Sequence, residues 1–428
     1  MEVLRHCLPP SVLRTLNDLP ESLDETYERI LREIRKPNQE HAHRMLQCLV
    51  AAVRPLRVDE LAEVLAFNFD EGGIPKLNPD WRWEDQEEAI MSACSSLVII
   101  VKDGDSQIVQ FSHFSVKEFL TADRLAEPIR DVSRYHIQLD AAHTILAQAC
   151  LGVIFRIDER IDRDDIKDFP LALYAGQHWT THAHFGTVSS RIKDGLERLF
   201  DADQPHLAVW LWLYDEESAN AYSNSLTTKY PEKLSAVPLY YAARFGFRDV
   251  AKRLILEHPD HVNAQGGFDE APMHSAARSG HIDILSLLHE HGAYVEVRNK
   301  KGETPLLIAS WRGKREAGWY LIDHCGADIH AVDNRGFTTV FMAFRNDVES
   351  VRMLIERGAK IHIRNRLGDT PLLDSLRGNG GVELVRLYLD HGADPNVCNK
   401  YNQTPLKLAE LFHLPDIKKL LTEYGAVC

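Results

Sequence analysis

What the 428-residue sequence is short of narrows the field first. Cysteine is sparse. Cys7, Cys48, Cys94, Cys150, Cys325, Cys398 and Cys428 are scattered, with no pair at zinc-ribbon or redox-motif spacing. A disulfide framework is therefore not the organising device. A reducing compartment is expected, the cytoplasm with the nucleus as the alternative. No run approaches the ~20 apolar residues of a membrane-crossing helix, and residues 1–10 lack the apolar stretch of a signal peptide. Basic charge is in deficit, 49 Lys and Arg against 63 Asp and Glu, for a net charge of −14. That balance argues against general binding to nucleic acid or acidic membrane. No Gly-x-x-x-x-Gly-Lys-Ser/Thr loop, Gly-x-Ser-x-Gly elbow or His-Glu-x-x-His pair occurs. Phosphate-loop, serine-hydrolase and zinc-protease chemistry thus have no local signature.

What is present in the C-terminal half is a repeat. Pro238, Pro272, Pro305, Thr339, Pro371 and Pro405 hold equivalent places, 34, 33, 34, 32 and 34 residues apart. The clearest copy reads Gly302-Glu303-Thr304-Pro305-Leu306-Leu307-Ile308-Ala309. Thr304, Thr370 and Thr404 can each cap a helix, the hydroxyl accepting an otherwise orphan backbone N–H. Pro follows at the first helical position, where its missing N–H costs nothing. Ala242-Ala243 and Ala276-Ala277 let helices approach, and Ile284-Leu285 and Leu287-Leu288 supply the apolar face of a second helix. Gly292, Gly326, Gly358 and Gly392 end that helix, and ten residues later Gly302, Gly336, Gly368 and Asn402 mark turns tolerating positive φ. Asn299, Asn334, Asn365 and Asn399 recur there and are expected to bond their own turns. The unit resembles the ankyrin repeat, which implies a six-copy α-solenoid over 231–428. In it His274 would bond neighbouring backbone. The fourth copy, with Thr339 for Pro and Asp347 for Gly, is expected to be locally irregular.

The N-terminal half reads differently. Ser22 and Glu25 have capping-box spacing ahead of a stripe of Tyr27, Ile30, Leu31 and Ile34, closed by Pro37. A helix is predicted over 41–53, a second capped by Asp59, and a third over 84–95. Leu97–Val101 and Ile108–Phe111 flank an Asp103-Gly104 turn as a hairpin. Ser115 and Glu118 have the spacing of another capping box, opening a helix with Phe119 and Leu120. Three helices and a hairpin in this order are the winged-helix pattern. The segments 19–30 and 111–120 are similar to those that follow the nucleotide-binding module in fungal NACHT-type (STAND) signalling proteins. There they belong to the winged-helix domain named after GPI inositol-deacylase. The resemblance implies a residual helical linker at 1–36, a winged helix at 37–125, a helical connector and cap at 126–230, and ankyrin repeats at 231–428. That family's phosphate-binding loop would lie upstream of Met1, so its nucleotide hydrolysis is not carried over. The expected fold is mainly α, with one small β hairpin. Leu207–Tyr214 is expected to lie as an apolar helix against the array.

Three places in the sequence bear on chemistry. His178, His182 and His184 have suggestive metal spacing, but Tyr174 and Trp179 mark the segment as a packed helix. Ser112 and His113 are adjacent on a strand and so point to opposite faces, which bars a nucleophile–base pair. The third winged helix carries Glu84, Asp85, Glu87 and Glu88 and no Lys or Arg before Ser95, the wrong sign for DNA. No enzyme activity, cofactor, metal or small-molecule substrate is expected. The expected role is a protein–protein interaction module, the sensor and linker of a NACHT-type protein. An enzyme's accessory subunit and a DNA-binding regulator are the alternatives. The array's hairpin tips carry Arg298, Lys300, Lys301, Arg335, Arg364, Arg366 and Lys400, a basic ridge suited to an acidic or extended protein partner.

Overall fold

The computed structural model describes residues 22–69, 73–94, 96–104, 106–127, 131–157, 165–214, 234–342, 347–378 and 381–427. The chain divides into two compact units, 1–232 and 233–428. The stretch 1–19 and the end of the connector at 215–230 lie outside the described residues.

The first unit opens with α1 (Leu23–Glu33), where Ser22 Oγ accepts the Glu25 N–H at 3.2 Å. Then come α2 (Gln39–Ala51), β1 (Leu56–Arg57), α3 (Val58–Leu65), β2 (Phe67–Asn68) and β3 (Lys76–Leu77). After these follow α4 (Gln86–Cys94), β4 (Val98–Asp103), β5 (Ser106–Phe111) and α5 (Phe114–Thr121). The hairpin β4–β5 is joined by β1, in the sheet order β1-β5-β4, with Leu56 opposite Val109. This third strand completes a winged-helix sheet. A two-residue strand has no local periodicity, so the sequence shows only the hairpin.

Two caps also differ from expectation. Asp59 lies inside α3, and Glu60 Oε2 accepts the Arg57 N–H instead, at 2.8 Å. The α5 cap is His113, whose Nδ1 accepts the Ser115 N–H at 3.3 Å, so Ser115 is already helical. Glu60 and Glu63 are buried, and each is neutralised by arginine. Glu60 takes a two-pronged contact from Arg54 at 2.7 and 2.8 Å. Glu63 accepts from Arg156 at 3.0 Å and from the Leu171 N–H at 2.8 Å.

The connector packs into the same unit as α6 (Leu139–Ile154), α7 (Ala172–Ala183), α8 (Val188–Arg191), α9 (Lys193–Leu199) and α10 (His206–Tyr214). The apolar helix α10 packs on α7: Trp210 donates to the Gly176 carbonyl at 3.1 Å and meets Trp179 edge-on at 4.9 Å. Gly176 makes the approach feasible, since a Cβ there would lie 2.7 Å from Leu213 Cβ.

The second unit is six helix pairs. The first helices are Pro238–Phe245, Pro272–Ser279, Pro305–Trp311, Thr339–Met342, Pro371–Arg377 and Pro405–Leu411. Their partners are Arg248–Glu257, Ile282–Glu290, Arg315–Asp323, Val348–Glu356, Val382–Asp390 and Pro415–Glu423. Successive first helices pack on one another, as do second helices within the first three pairs and within the last three. Ala242, Ala243, Ala276 and Ala277 are fully buried between them. The expected caps are present: Thr304, Thr370 and Thr404 hydroxyls accept N–H groups three residues on, at 3.4, 3.5 and 3.3 Å. His274 is fixed by Nδ1 accepting the Ala271 N–H and Nε2 donating to the Glu303 carbonyl, both at 3.0 Å. In the fourth pair the first helix is described over Thr339–Met342 alone, and Asp347 caps the second by accepting the Ser350 N–H at 3.1 Å.

Candidate functional site

Hairpins link the repeats, and one backbone bond locks each to the next. Lys300, Asn334, Arg366 and Lys400 donate N–H to the carbonyls of Phe268, Lys301, Arg335 and Leu367, at 2.8–3.0 Å. The tips therefore form a continuous row. Each of the last four hairpins is pinned from within by one buried side chain accepting two backbone N–H groups. Asn299 Oδ1 takes those of Lys301 and Glu303, Asn365 Oδ1 those of Leu367 and Asp369, and Asn399 Oδ1 those of Tyr401 and Gln403. In the third hairpin the pinning residue is Asp333, which takes Arg335 and Phe337, rather than Asn334. Asn334 instead reaches the preceding hairpin, donating Nδ2 to the Lys300 carbonyl at 3.0 Å. The register shifted by one because Asp and Asn offer the same accepting oxygen.

Close hairpin stacking also explains the turn glycines. A Cβ on Gly336 would lie 3.0 Å from Asn365 Cα, and one on Gly368 3.0 Å from the Lys400 nitrogen. Asn402 holds the same turn position in the next hairpin, at a φ of 54°.

The predicted basic residues fall into two groups. Arg298 and Arg364 are committed internally. Each donates Nη1 to a carbonyl of its own hairpin (Gly302, 2.9 Å; Gly368, 3.1 Å) and to one of the next (Val332 and Cys398, both 2.6 Å). They serve as clamps between hairpins, which the charge pattern alone did not reveal. Arg335 is intermediate: Nε donates to Asp333 Oδ2 at 3.0 Å, and its guanidinium lies 4.9 Å from the Phe337 ring centre. Lys300, Lys301, Arg366 and Lys400 are exposed, with no side-chain hydrogen bond or ion pair among the described residues. Exposed apolar side chains share the row: Phe268, Leu367 and Tyr401, the outer two at 71% and 65% exposure. The row thus offers exposed cations flanked by aromatics. It can hold a carboxylate-rich chain by charge and its apolar side chains by contact.

Behind the row lies a seam of buried acids. Glu270 accepts from Tyr240 Oη at 2.8 Å and also pairs with Arg278. Asp369 accepts from Asn399 Nδ2 at 2.8 Å and pairs with Arg377 at 3.3 Å. Burial, then the neighbouring Asp369, raises Asp374 to about 6. Glu270 and Asp369 face inward and tie one repeat to the next.

In the first unit, the three histidines singled out by spacing do not converge. His182 is buried with both nitrogens engaged, Nδ1 with His143 Nδ1 and Nε2 with Tyr174 Oη, each at 2.8 Å. His178 packs edge-on against Tyr174 at 4.9 Å. The partner His143 lies 39 residues upstream on α6, beyond any spacing rule. Ser112 donates to the Ser96 carbonyl and makes no pair with His113. A groove of about 770 Å³ is lined by His43, Ser133, Arg134 and His136, but its one carboxylate, Asp131, is held by Arg32 at 3.2 Å. Exposed Glu87 and Glu88 stand on α4, the helix that would meet DNA in a winged-helix reader. No described helix is long and apolar enough to cross a membrane.

Comparison with known proteins agrees with the two units. Residues 239–333 and 339–428 match the family model described as ankyrin repeats (3 copies), and 27–129 match the GPI inositol-deacylase winged helix domain. An azaphilone pigments biosynthesis cluster protein L from Monascus ruber is 30% identical over 65% of this chain and 61% of its own length. The ankyrin repeat and SAM domain-containing protein 6 of Mus musculus is 31% identical over 31% of this chain and 16% of its own. This chain therefore spans less than two thirds of either relative. A solved ankyrin repeat domain from Acinetobacter baumannii is 31% identical, covering 44% of this chain and 98% of that one, with a TM-score of 0.40.

Proposed function

We propose that this chain, with its ankyrin repeats and its GPI inositol-deacylase-type winged helix, is a non-catalytic sensor and linker of a fungal NACHT-type signalling protein. Stacked-repeat arrays are interaction scaffolds, with an extended surface in place of a reaction centre. The observation that carries the reading is the bonded row of tips with four unengaged cations, Lys300, Lys301, Arg366 and Lys400. Its partner in this reading is an acidic, extended protein segment. The sequence has no phosphate-binding loop, so a nucleotide-driven switch would be supplied by another module. Support for the NACHT context is the winged-helix match at 27–129 followed by repeats.

The test replaces Lys300, Lys301, Arg366 and Lys400 together by Glu. Arg298, Arg335 and Arg364 are left intact because they hold the hairpins. Binding of poly-glutamate and of neutral control peptides is then measured across a salt series. Capture of the acidic peptide should be steep in salt for the parent and absent for the variant. Equal, salt-independent capture by both would end the ridge proposal.

A second reading, an accessory role beside a biosynthetic enzyme, is favoured by the similarity to the Monascus protein, whose name ties that protein to a pigment biosynthesis cluster. Co-purification with an enzyme through the first unit, untouched by the ridge changes, would favour it.

A further inference from the structure

We propose that His258, Asp260 and His261, in the first repeat, form a site for a divalent transition-metal ion of the zinc class. The local sequence departs from its own repeat here. In the five later copies the second helix runs into a glycine at positive φ, Gly292, Gly326, Gly358, Gly392 and Gly425, each followed by alanine. In the first copy Pro259 takes the glycine's place, and Asp260 and His261 follow it. Proline cannot adopt positive φ. The chain forms a short 3-10 turn, Pro259–Asn263, instead, with the His261 N–H donating to the His258 carbonyl at 3.0 Å.

That turn brings the donors together. The rings of His258, which precedes the turn, and of His261 within it stack with centres 4.8 Å apart and planes 25° apart. Asp260 Oδ2 stands 4.0 Å from His261 Nε2. One ligand atom from each of the three lies within 4.8 Å of the others. Around tetrahedral zinc, with bonds of about 2.0–2.1 Å, such atoms sit roughly 3.4 Å apart. The Asp260 side chain is 82% exposed and free to swing inward. His261 Nδ1 is shielded from solvent yet has no hydrogen-bond partner. The nearby Glu257 carboxylate is already held by Arg253 at 3.1 Å.

The donor set chooses the metal. Two imidazoles and a carboxylate suit zinc, copper or nickel, whereas calcium and magnesium prefer sites made entirely of oxygen. Three protein ligands leave a position for water or for a group from another molecule.

The test uses the full chain. Zn²⁺ and Mg²⁺ titrations by calorimetry compare the parent with a His258→Gln, His261→Gln double variant and with Asp260→Asn. Cobalt substitution reports donor type, because thiolates such as that of exposed Cys398 give a charge-transfer band that nitrogen and oxygen donors lack. The parent should bind one more Zn²⁺ equivalent than the double variant, with cobalt bands of nitrogen–oxygen type and no response to Mg²⁺. Asp260→Asn should weaken that equivalent by at least the roughly 10–100-fold that loss of an outer-shell partner costs. Metal-free melting should match across the three proteins, and if the double variant fails to fold, Asp260→Asn alone decides. Equal zinc stoichiometry and affinity in parent and variant, or cobalt bands from thiolate alone, would overturn the assignment.

Discussion

Acidification should loosen the first unit, and the reason can be traced proton by proton. The Val53 N–H donates to Tyr174 Oη at 3.2 Å, so the tyrosine hydroxyl turns its own proton to His182 Nε2, 2.8 Å away. His182 must then carry its proton on Nδ1 and donate it to His143 Nδ1, also at 2.8 Å. Every position on the His182 ring is used in the neutral form. A second proton on His182 has nowhere to go, and one on His143 Nδ1 would meet the His182 N–H head-on. Burial, then the charges of His143 and His178, lower His182 from 6.5 to about 3. A folded pKa below the unfolded one means the unfolded chain takes up more protons. Stability is therefore level above pH ~6.5 and falls as pH drops from there toward about 3. At pH 5 the span of 1.5 units below 6.5 corresponds to about 2 kcal/mol. His206, lowered to about 4 by burial and then by Arg198, adds a smaller loss of the same sign between pH 6.5 and about 4. The assay is hydrogen exchange read peptide by peptide at pH 7 and pH 5, corrected for intrinsic rates. Peptides from α6 and α7 should lose protection in the parent. In His182→Gln they should be weaker at pH 7, since Tyr174 and His143 lose a partner, but the His182 share of the pH difference should vanish. An undiminished pH difference in that variant would refute the proton-by-proton account.

Two further outcomes concern the repeats. Thr304→Ala, Thr370→Ala and Thr404→Ala should each lower unfolding free energy by about 0.5–1 kcal/mol, the low side of the usual range because the cap bonds are long, 3.3–3.5 Å. Unchanged melting of the triple variant would contradict the cap assignment. Asn399→Ala should cost about 2 kcal/mol, since it strands two part-buried N–H groups together with buried Asp369 and half-buried Gln403. Asn334→Ala, on an exposed residue, should cost well under that. Chemical denaturation of the two variants compares them, and equal losses would put the pinning role back on Asn334.

Much of the array was legible in the sequence because its chemistry is local. A threonine before a proline, a glycine at a helix end and an alanine pair do their work within a few residues, and the period repeats them. The winged helix was legible as order but incomplete. Strand β1 exists only because Leu56 finds Val109, and nothing in two residues announces a partner so far along the chain. The candidate ridge was half legible. Counting charges found seven tip cations, but geometry alone separated Arg298 and Arg364, bound to carbonyls of adjoining hairpins, from lysines left in solvent.

By itself, then, the sequence determined the period, the helix starts and stops, and the mainly helical class, because backbone capping and turn conformation depend on near neighbours. The tertiary structure decided which oxygen pins each hairpin, which cations remain available, and that His182 meets His143 rather than its spacing-mates. Those outcomes depend on which groups are brought within about 3 Å of one another. Residues far apart in the chain reach that distance only when packing has excluded water and left each buried donor a single acceptor.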